Sequence, residues 1–252
     1  MKTLGIIPAR YASTRFPGKP LVDINGQSML QRVFNQACKA DLLQKVIIAT
    51  DDERIYRHAE SIGAPVMYTD ASHQSGTDRC AEVAASYPEM DVVVNIQGDE
   101  PFIDPAQINA VIAPFAQHPE LAIATLAKRI TDEHPLFNPN VVKVVSDKNG
   151  FAMYFSRHPI PYLRNLDHED WLSKGLHFKH IGIYAFRNSV LQNLGKLPHG
   201  TYEQAESLEQ LRWLEAGYRI YVGLTELETI GIDTPEDLEG LGFFLPQRHK
   251  EH

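Results

Sequence analysis

Apolar and polar positions alternate along this chain in two distinct periods, and the changes between them mark out its elements. Leu4 to Ile7 is a continuous apolar run closed by Pro8, as expected of a strand buried on both faces that feeds an irregular loop. Met29, Leu30, Val33, Phe34, Ala37 and Cys38 then recur at helical spacing behind Ser28, a candidate N-cap. Lys45 to Thr50 is a second buried strand. Asp51-Asp52-Glu53 opens a helix carrying Ile55, Ala59 and Ile62, and these acids are read as caps without chemistry. Pro65 to Tyr68 is a short third strand. This βαβαβ order predicts a parallel sheet with right-handed crossovers and a ligand crevice at the carboxyl ends of its strands.

Further along, Asp91 to Ile96 is a β-branched strand that ends at Gly98. Pro105 opens a helix bearing Ile108, Val111, Ile112 and Phe115, and Ala122 to Leu126 is another strand. The pattern then changes. Asn138 to Val145 and Phe151 to Phe155 are strands separated only by Asp147-Lys148-Asn149-Gly150, which reads as a hairpin, and Pro159 to His177 reads as an excursion from the main sheet. Lys179 to Phe186 is a strand with His180 and Tyr184 on one face. Ala205 to Ala216 is a helix with Leu208, Leu211 and Leu214 as its buried spine. The fold class expected is α/β: a mostly parallel twisted sheet flanked by helices in one domain over 1–252, with a smaller α+β lobe over approximately 130–190.

A net charge of −8 changes this picture by arguing against a general nucleic-acid binder, so any anion must be held locally. The 43% apolar content is enough for a substantial core. Only Cys38 and Cys80 are present; both are read as core thiols, with neither a disulfide framework nor a zinc site expected. The run after Met1-Lys2 is too short for a signal peptide, and a soluble cytoplasmic protein is expected.

Candidate chemistry starts in the loop after the first strand, where Arg10, Arg15 and Lys19 stand among Gly, Pro and hydroxyl residues. Like charges about 4 Å apart cost roughly 4 kcal/mol at an effective dielectric of 20, so the three cations point to a strongly anionic ligand such as a polyphosphate. Neither a P-loop nor a dinucleotide fingerprint is present. Ser75-Gly76-Thr77 permits close backbone approach at a helix N-terminus, and read as structure alone it is a loop and a cap. Gly98 presents Asp99 and Glu100 at the crevice edge. An acid there suits Mg²⁺, which takes one or two protein carboxylates and completes its shell with phosphate and water. Asp99 is the ligand chosen, with Glu100 structural.

Pro8-Ala9-Arg10-x-x-Ser13-x-Arg15-x-Pro17-x-Lys19-x-Leu21 resembles the opening signature of the cytidylyltransferases that activate 3-deoxy-manno-octulosonate (Kdo) as its CMP derivative. The likeness runs on through His73-Gln74-Ser75-Gly76-Thr77-x-Arg79, Glu206-x-Leu208-Glu209-Gln210-Leu211-Arg212 and Asp233 to Asp237. It implies that Pro8, Ala9, Arg10, Ser13, Lys19, Gln74, Ser75, Gly76, Arg79 and Gln97 hold CTP. It also implies that Gln97, Arg157, His180, Tyr184, Glu209 and Gln210 hold the sugar acid, with Arg157 suited to its carboxylate. Asp233, left over beside the simpler N-cap Thr234, would complete a Mg²⁺ site with Asp99, and the lobe would contribute to a homodimer. Pro198 to Glu203 departs from the Ser-x-Leu-Glu expected there.

The reaction implied is CTP plus Kdo giving CMP-Kdo and pyrophosphate for lipopolysaccharide synthesis, with Arg10, Arg15, Lys19, Asp99 and Asp233 as the catalytic set. A second Mg²⁺ would travel with the triphosphate. Alternatives are a cytidylyltransferase for amino-Kdo or sialic acid, an NAD-dependent oxidoreductase lacking its usual glycines, and a non-catalytic nucleotide sensor.

Overall fold

A computed structural model describes residues 1–12, 16–228 and 231–240. The chain opens with β1 (Thr3–Ala9), a 3₁₀ turn at Lys19–Leu21, a small hairpin of β2 (Asp23–Ile24) and β3 (Gln27–Ser28), and α1 (Met29–Ala37). β4 (Lys45–Thr50), α2 (Glu53–Ser61), β5 (Val66–Tyr68), α3 (Gly76–Ala85), β6 (Val92–Asn95), α4 (Pro105–Ile112), α5 (Pro114–Gln117) and β7 (Ile123–Arg129) follow. The remainder is α6 (Glu133–Phe137), β8 (Lys143–Ser146), β9 (Ala152–Ser156), a 3₁₀ segment at His168–Lys174, β10 (Phe178–Arg187), α7 (Asn188–Leu194), α8 (Thr201–Glu206), α9 (Glu209–Glu215), β11 (Ile220–Leu224) and α10 (Pro235–Gly240).

The main sheet runs β11-β7-β10-β6-β1-β4-β5. β4, β1 and β6 pair parallel, as do β4 with β5 and β7 with β11. β10 is antiparallel to β6 and β7 and also to β8, which pairs antiparallel with β9, so β10 and β9 are the reversed strands of a nine-stranded, otherwise one-directional sheet. The parallel βαβαβ start and the β8–β9 hairpin are as the sequence predicts. The apolar runs are continuous because successive side chains feed different cores. Ile7 and Ile48 pack with α1, α2 and α4 on one face, while Leu4, Ile6 and Ile47 pack with α3, α7 and α9 on the other.

Four expectations need correction. The helix over Ala205 to Ala216 is interrupted: α8 ends at Ser207, which is left-handed at φ 52, and α9 starts after Leu208. The helix from Pro105 stops at Ile112, and Phe115 belongs to the separate α5. Cys38 is exposed at the end of α1, because the helix stops at Ala37; Cys80 alone is a core thiol. Asp52 caps α2 as read, but Asp51 pairs with Arg79. Among the described residues no helix is long and apolar enough to cross a membrane.

Asn188 ties the back of the molecule together. Its buried Nδ2 donates to Tyr87 O and Met90 O, both at 3.1 Å, and to Ala84 O at 3.4 Å. Asn188→Ala removes the side-chain donor shared by those carbonyls, of which Ala84 O and Tyr87 O keep a backbone N–H, and urea unfolding is expected to show a loss of about 2 kcal/mol; a loss below about 0.5 kcal/mol contradicts this role.

Candidate functional site

The crevice lies where the chain leaves β1 and β6. Pro8 is enclosed by two glycines. A Cβ at Gly98 would meet Pro8 O at 2.9 Å, which leaves no room for a side chain, and one at Gly76 would sit tightly against the Pro8 ring at 3.2 Å. This close fit sets the loop after β6 against the loop after β1, beside the start of α3. The 420 Å³ cleft that results is walled by Pro8, Ala9, Arg10, Gln74, Gly76 and Gly98.

Lys19 occupies the centre. Its Nζ donates to Asp99 Oδ2 at 2.9 Å and to Asp233 Oδ1 at 3.1 Å. Two carboxylates distant in sequence therefore converge on one positive charge. A backbone bond holds them there: Ile232 N donates to Asp99 O at 2.9 Å, and buried Ile232 packs with Ile24 and Met29. Asp237 accepts from the N–H groups of Asp233 and Thr234, both at 2.8 Å, and Thr234 Oγ1 accepts from Asp237 N at 3.3 Å. Thr234 is thus the cap, and the Asp233 carboxylate is left to face the cleft.

A second chamber, of 860 Å³, opens on the far side of the same wall. Gln97, Asp99 and Asp233 line both spaces. Arg157, Lys179, His180, Gly182 and Glu100 also face the second. Gln97 Nε2 donates to Gly182 O at 2.9 Å, across a register shift in β10 between Ile181 and Tyr184. Thr125 supports that shift by donating its hydroxyl proton to Ile183 O at 2.8 Å, and its oxygen accepts from His180 Nε2 at 2.9 Å. The strict alternation expected of His180 and Tyr184 is broken here, although their rings still approach to 5.3 Å.

The charges are set by burial. Burial pulls the His180 imidazole down to about 3, so it is neutral at physiological pH. Glu100, expected to be structural, faces the second chamber, and burial aided by Asp99 pushes its carboxyl up to about 7. Arg10, which donates to His73 O, is lowered by burial and then by Arg79.

Arg10, Lys19, Gln74, Gly76, Gln97, Asp99 and Asp233 are brought together as expected, with Pro8 and Ala9 beneath them. Ser13 and Arg15 lie outside the described residues. Ser75 is a helix cap, accepting from Asp78 N at 3.2 Å. Arg79 reaches the cleft only as part of its floor. It is fully buried, paired with Asp51 at 2.9 Å and bonded to Thr69, so it braces the site from beneath. Arg157 reaches the second chamber, but its guanidinium is anchored to backbone carbonyls.

Tyr184, Glu209 and Gln210 line neither space. Glu209 Oε2 instead accepts from Thr77 Oγ1 at 2.9 Å, which ties α9 to the start of α3, and Gln210 is buried. The Tyr184 hydroxyl is buried with no hydrogen-bond partner among the described residues. Glu100, Lys179 and the brace from Asp51 are what sequence reasoning missed. The signals available were an acid directly after Asp99 and a lysine directly before His180.

Asp99 and Asp233 suit a hard divalent cation: both are partly exposed oxygen donors, and they already share one positive point. Among the described residues no group of three or more His, Cys, Asp or Glu side chains converges as a metal site. A cation there would therefore need substrate oxygens and water to complete its shell.

A family model described as "Cytidylyltransferase" matches residues 4–220. A curated 3-deoxy-manno-octulosonate cytidylyltransferase of Bacteroides thetaiotaomicron is 54% identical over 98% of this chain and 100% of its own length. The protein of the same description from Parabacteroides distasonis is 55% identical over the same shares. A solved structure of CMP:2-keto-3-deoxy-manno-octonic acid synthetase complexed with CTP superposes with a TM-score of 0.89. It is 42% identical, and the match covers 96% of this chain and 97% of that one.

His180 gives the site a pH dependence. An unfolded imidazole titrates near ~6.5, so between that value and about 3 the unfolded chain binds more protons. The stability is complete above pH 6.5 and is lost as pH falls. His180→Asn is expected to flatten this slope by roughly 1–2 kcal/mol between pH 7.5 and 5 in urea unfolding, allowing for the ring's contact with the open chamber. Parallel pH profiles for variant and wild type would overturn it.

Proposed function

The chain belongs to the 3-deoxy-manno-octulosonate cytidylyltransferase family, and from that premise we propose that it carries CMP from CTP to Kdo across the wall formed by Gln97, Asp99 and Asp233, releasing pyrophosphate. The observation that carries the assignment of the reaction to this wall is that the same three residues face both chambers, with the Lys19 ammonium between the two carboxylates. An α-phosphate bound at that wall would face the nucleotide cleft with its leaving group and the second chamber with its open side. This is the arrangement an in-line displacement needs.

In this reading the triphosphate lies along Arg10 and Lys19, whose charges stabilise the negative charge that grows on the departing pyrophosphate. Lys19 would give up its carboxylate partners for phosphate oxygens. Gly98 and Gly76, packed on Pro8, keep the loops that wall the nucleotide cleft close together. In the second chamber neutral His180, held by Thr125, hydrogen-bonds a sugar hydroxyl and is not a base. Gln97, fixed to Gly182, borders both substrates. The anomeric hydroxyl attacks phosphorus, the bond from phosphorus to the bridging oxygen breaks, and the proton passes to solvent. Asp99 and Asp233 would hold Mg²⁺, which when bound supplies Lewis-acid polarisation of the α-phosphate.

We also propose a homodimer through the lobe, supported by the exposure there of Phe137, Met153, Tyr162 and Leu176. A cytoplasmic location follows from the CTP requirement, and the product would serve lipopolysaccharide synthesis.

Pyrophosphate release from CTP, measured with a panel of Kdo, amino-Kdo and sialic acid and with EDTA or Mg²⁺, tests the assignment. Kdo is expected to be the preferred acceptor, and EDTA to abolish turnover. Lys19→Ala and Asp99→Ala are each expected to retain the wild-type circular dichroism and to lose about 10³ in kcat. Turnover near wild type in either variant would reject the site.

A further inference from the structure

The two acids of the shared wall are held close by the main chain, whatever binds between them. Ile232 N donates to Asp99 O at 2.9 Å, and Asp233 is the next residue along. Carboxylates fixed in this way repel each other unless a cation lies between them. Lys19 supplies it, with Nζ 2.9 Å from Asp99 Oδ2 and 3.1 Å from Asp233 Oδ1.

The backbone of that lysine is pinned in the 3₁₀ turn, where Lys19 N donates to Phe16 O and Lys19 O accepts from Val22 N, both at 3.2 Å. The side chain is left as the part that can swing. Lys19 lines the nucleotide cleft together with Arg10 and does not line the second chamber, whereas both acids line both. A triphosphate in the cleft would therefore draw the ammonium off the acids without any shift of the main chain.

An ammonium and a divalent cation cannot share this place. Carboxylate oxygens ligate Mg²⁺ at about 2.0–2.1 Å, so a metal on these same two oxygens would lie within about 4 Å of Nζ, one unit charge against two. Nor do the acids offer enough to displace the lysine by themselves. Among the described residues no third His, Cys, Asp or Glu joins them, and Mg²⁺ on one or two carboxylates relies on phosphate oxygens for much of its shell.

We propose that Lys19 is a resident counter-cation that excludes the divalent cation from Asp99 and Asp233 until nucleotide phosphates draw it off, so that metal binding to this chain follows nucleotide binding. This rests on the reading given above, in which the two acids hold the metal. The lysine then has two successive partners, the acids first and the phosphates after them. Linkage makes the effect mutual: a metal seated on the acids keeps the lysine on phosphate and so tightens the nucleotide.

Mn²⁺ binding to the nucleotide-free protein, followed by loss of the free ion's electron paramagnetic resonance signal, reads the exclusion without any turnover. Lys19→Met is expected to bind Mn²⁺ about 10- to 100-fold more tightly than wild type, the range of one or two charge-assisted contacts. Lys19→Gln is expected to show the same gain, so the result does not hang on one variant. Lys19→Arg keeps the charge and is expected to stay within about threefold of wild type. Asp233→Asn added to Lys19→Met is expected to cancel the gain, which assigns it to this pair of acids. Arg10→Met removes a cation that lines the same cleft but bonds to His73 O, and is expected to change Mn²⁺ affinity by less than about threefold. Affinities in Lys19→Met and Lys19→Gln within threefold of wild type, or an equal gain in Arg10→Met, overturn the proposal and leave the transferase reading intact. Failure of the wild-type protein to release pyrophosphate with any sugar acid would remove that reading instead, and the Mn²⁺ comparison does not depend on it.

Discussion

One backbone hydrogen bond, from Ile232 N to Asp99 O, is the constraint on which the site depends. It joins the loop after β6 to a segment near the end of the described chain, and burial of Ile232 against Ile24 and Met29 keeps it dry. Without it, Asp99 and Asp233 would have no reason to share a point. With it they converge on Lys19, from positions 80 and 214 residues away along the chain from that lysine. Bringing two acids together costs free energy unless a cation lies between them, so the lysine and the backbone bond stabilise each other's geometry.

In the proposed reading, the same wall makes the two chambers one site. Gln97 is held from the acceptor side by Gly182, whose carbonyl is free because β10 shifts register there. Thr125 in turn donates to the displaced backbone and orients His180. A distortion in one strand thus positions a side chain from its neighbour, and the two chambers are held in register through hydrogen bonds a few ångströms long.

Much of this was legible in the sequence where the signal is local. The strand stopping at Pro8, the cations after it, the acid beyond Gly98 and the hairpin at Asp147 to Gly150 each depend on residues close together in the chain. Their positions around the cleft follow from a parallel sheet. What was not legible depends on distant partners. Ser207 breaks a helix in a left-handed conformation that no glycine announces. Arg79 reads as a ligand contact until Asp51, itself read as a cap, is seen to hold it below the surface. Glu209 reads as a sugar contact, yet its carboxylate is spent on Thr77. In each case the residue type was right for binding, but a long-range hydrogen bond or ion pair used its capacity elsewhere.

The reversed direction of β10 has an outcome for how such a protein can diversify. Because this strand starts where its parallel neighbours end, Lys179 and His180 reach the reaction edge from a piece of chain separate from the one that builds the nucleotide cleft. On the proposed assignment of the two chambers, donor and acceptor recognition are therefore covalently partitioned, the first largely within the opening hundred residues and the second beyond the hairpin. In the proposed reading, substitutions at the start of β10 would retune which sugar is accepted while the triphosphate grip is inherited unchanged.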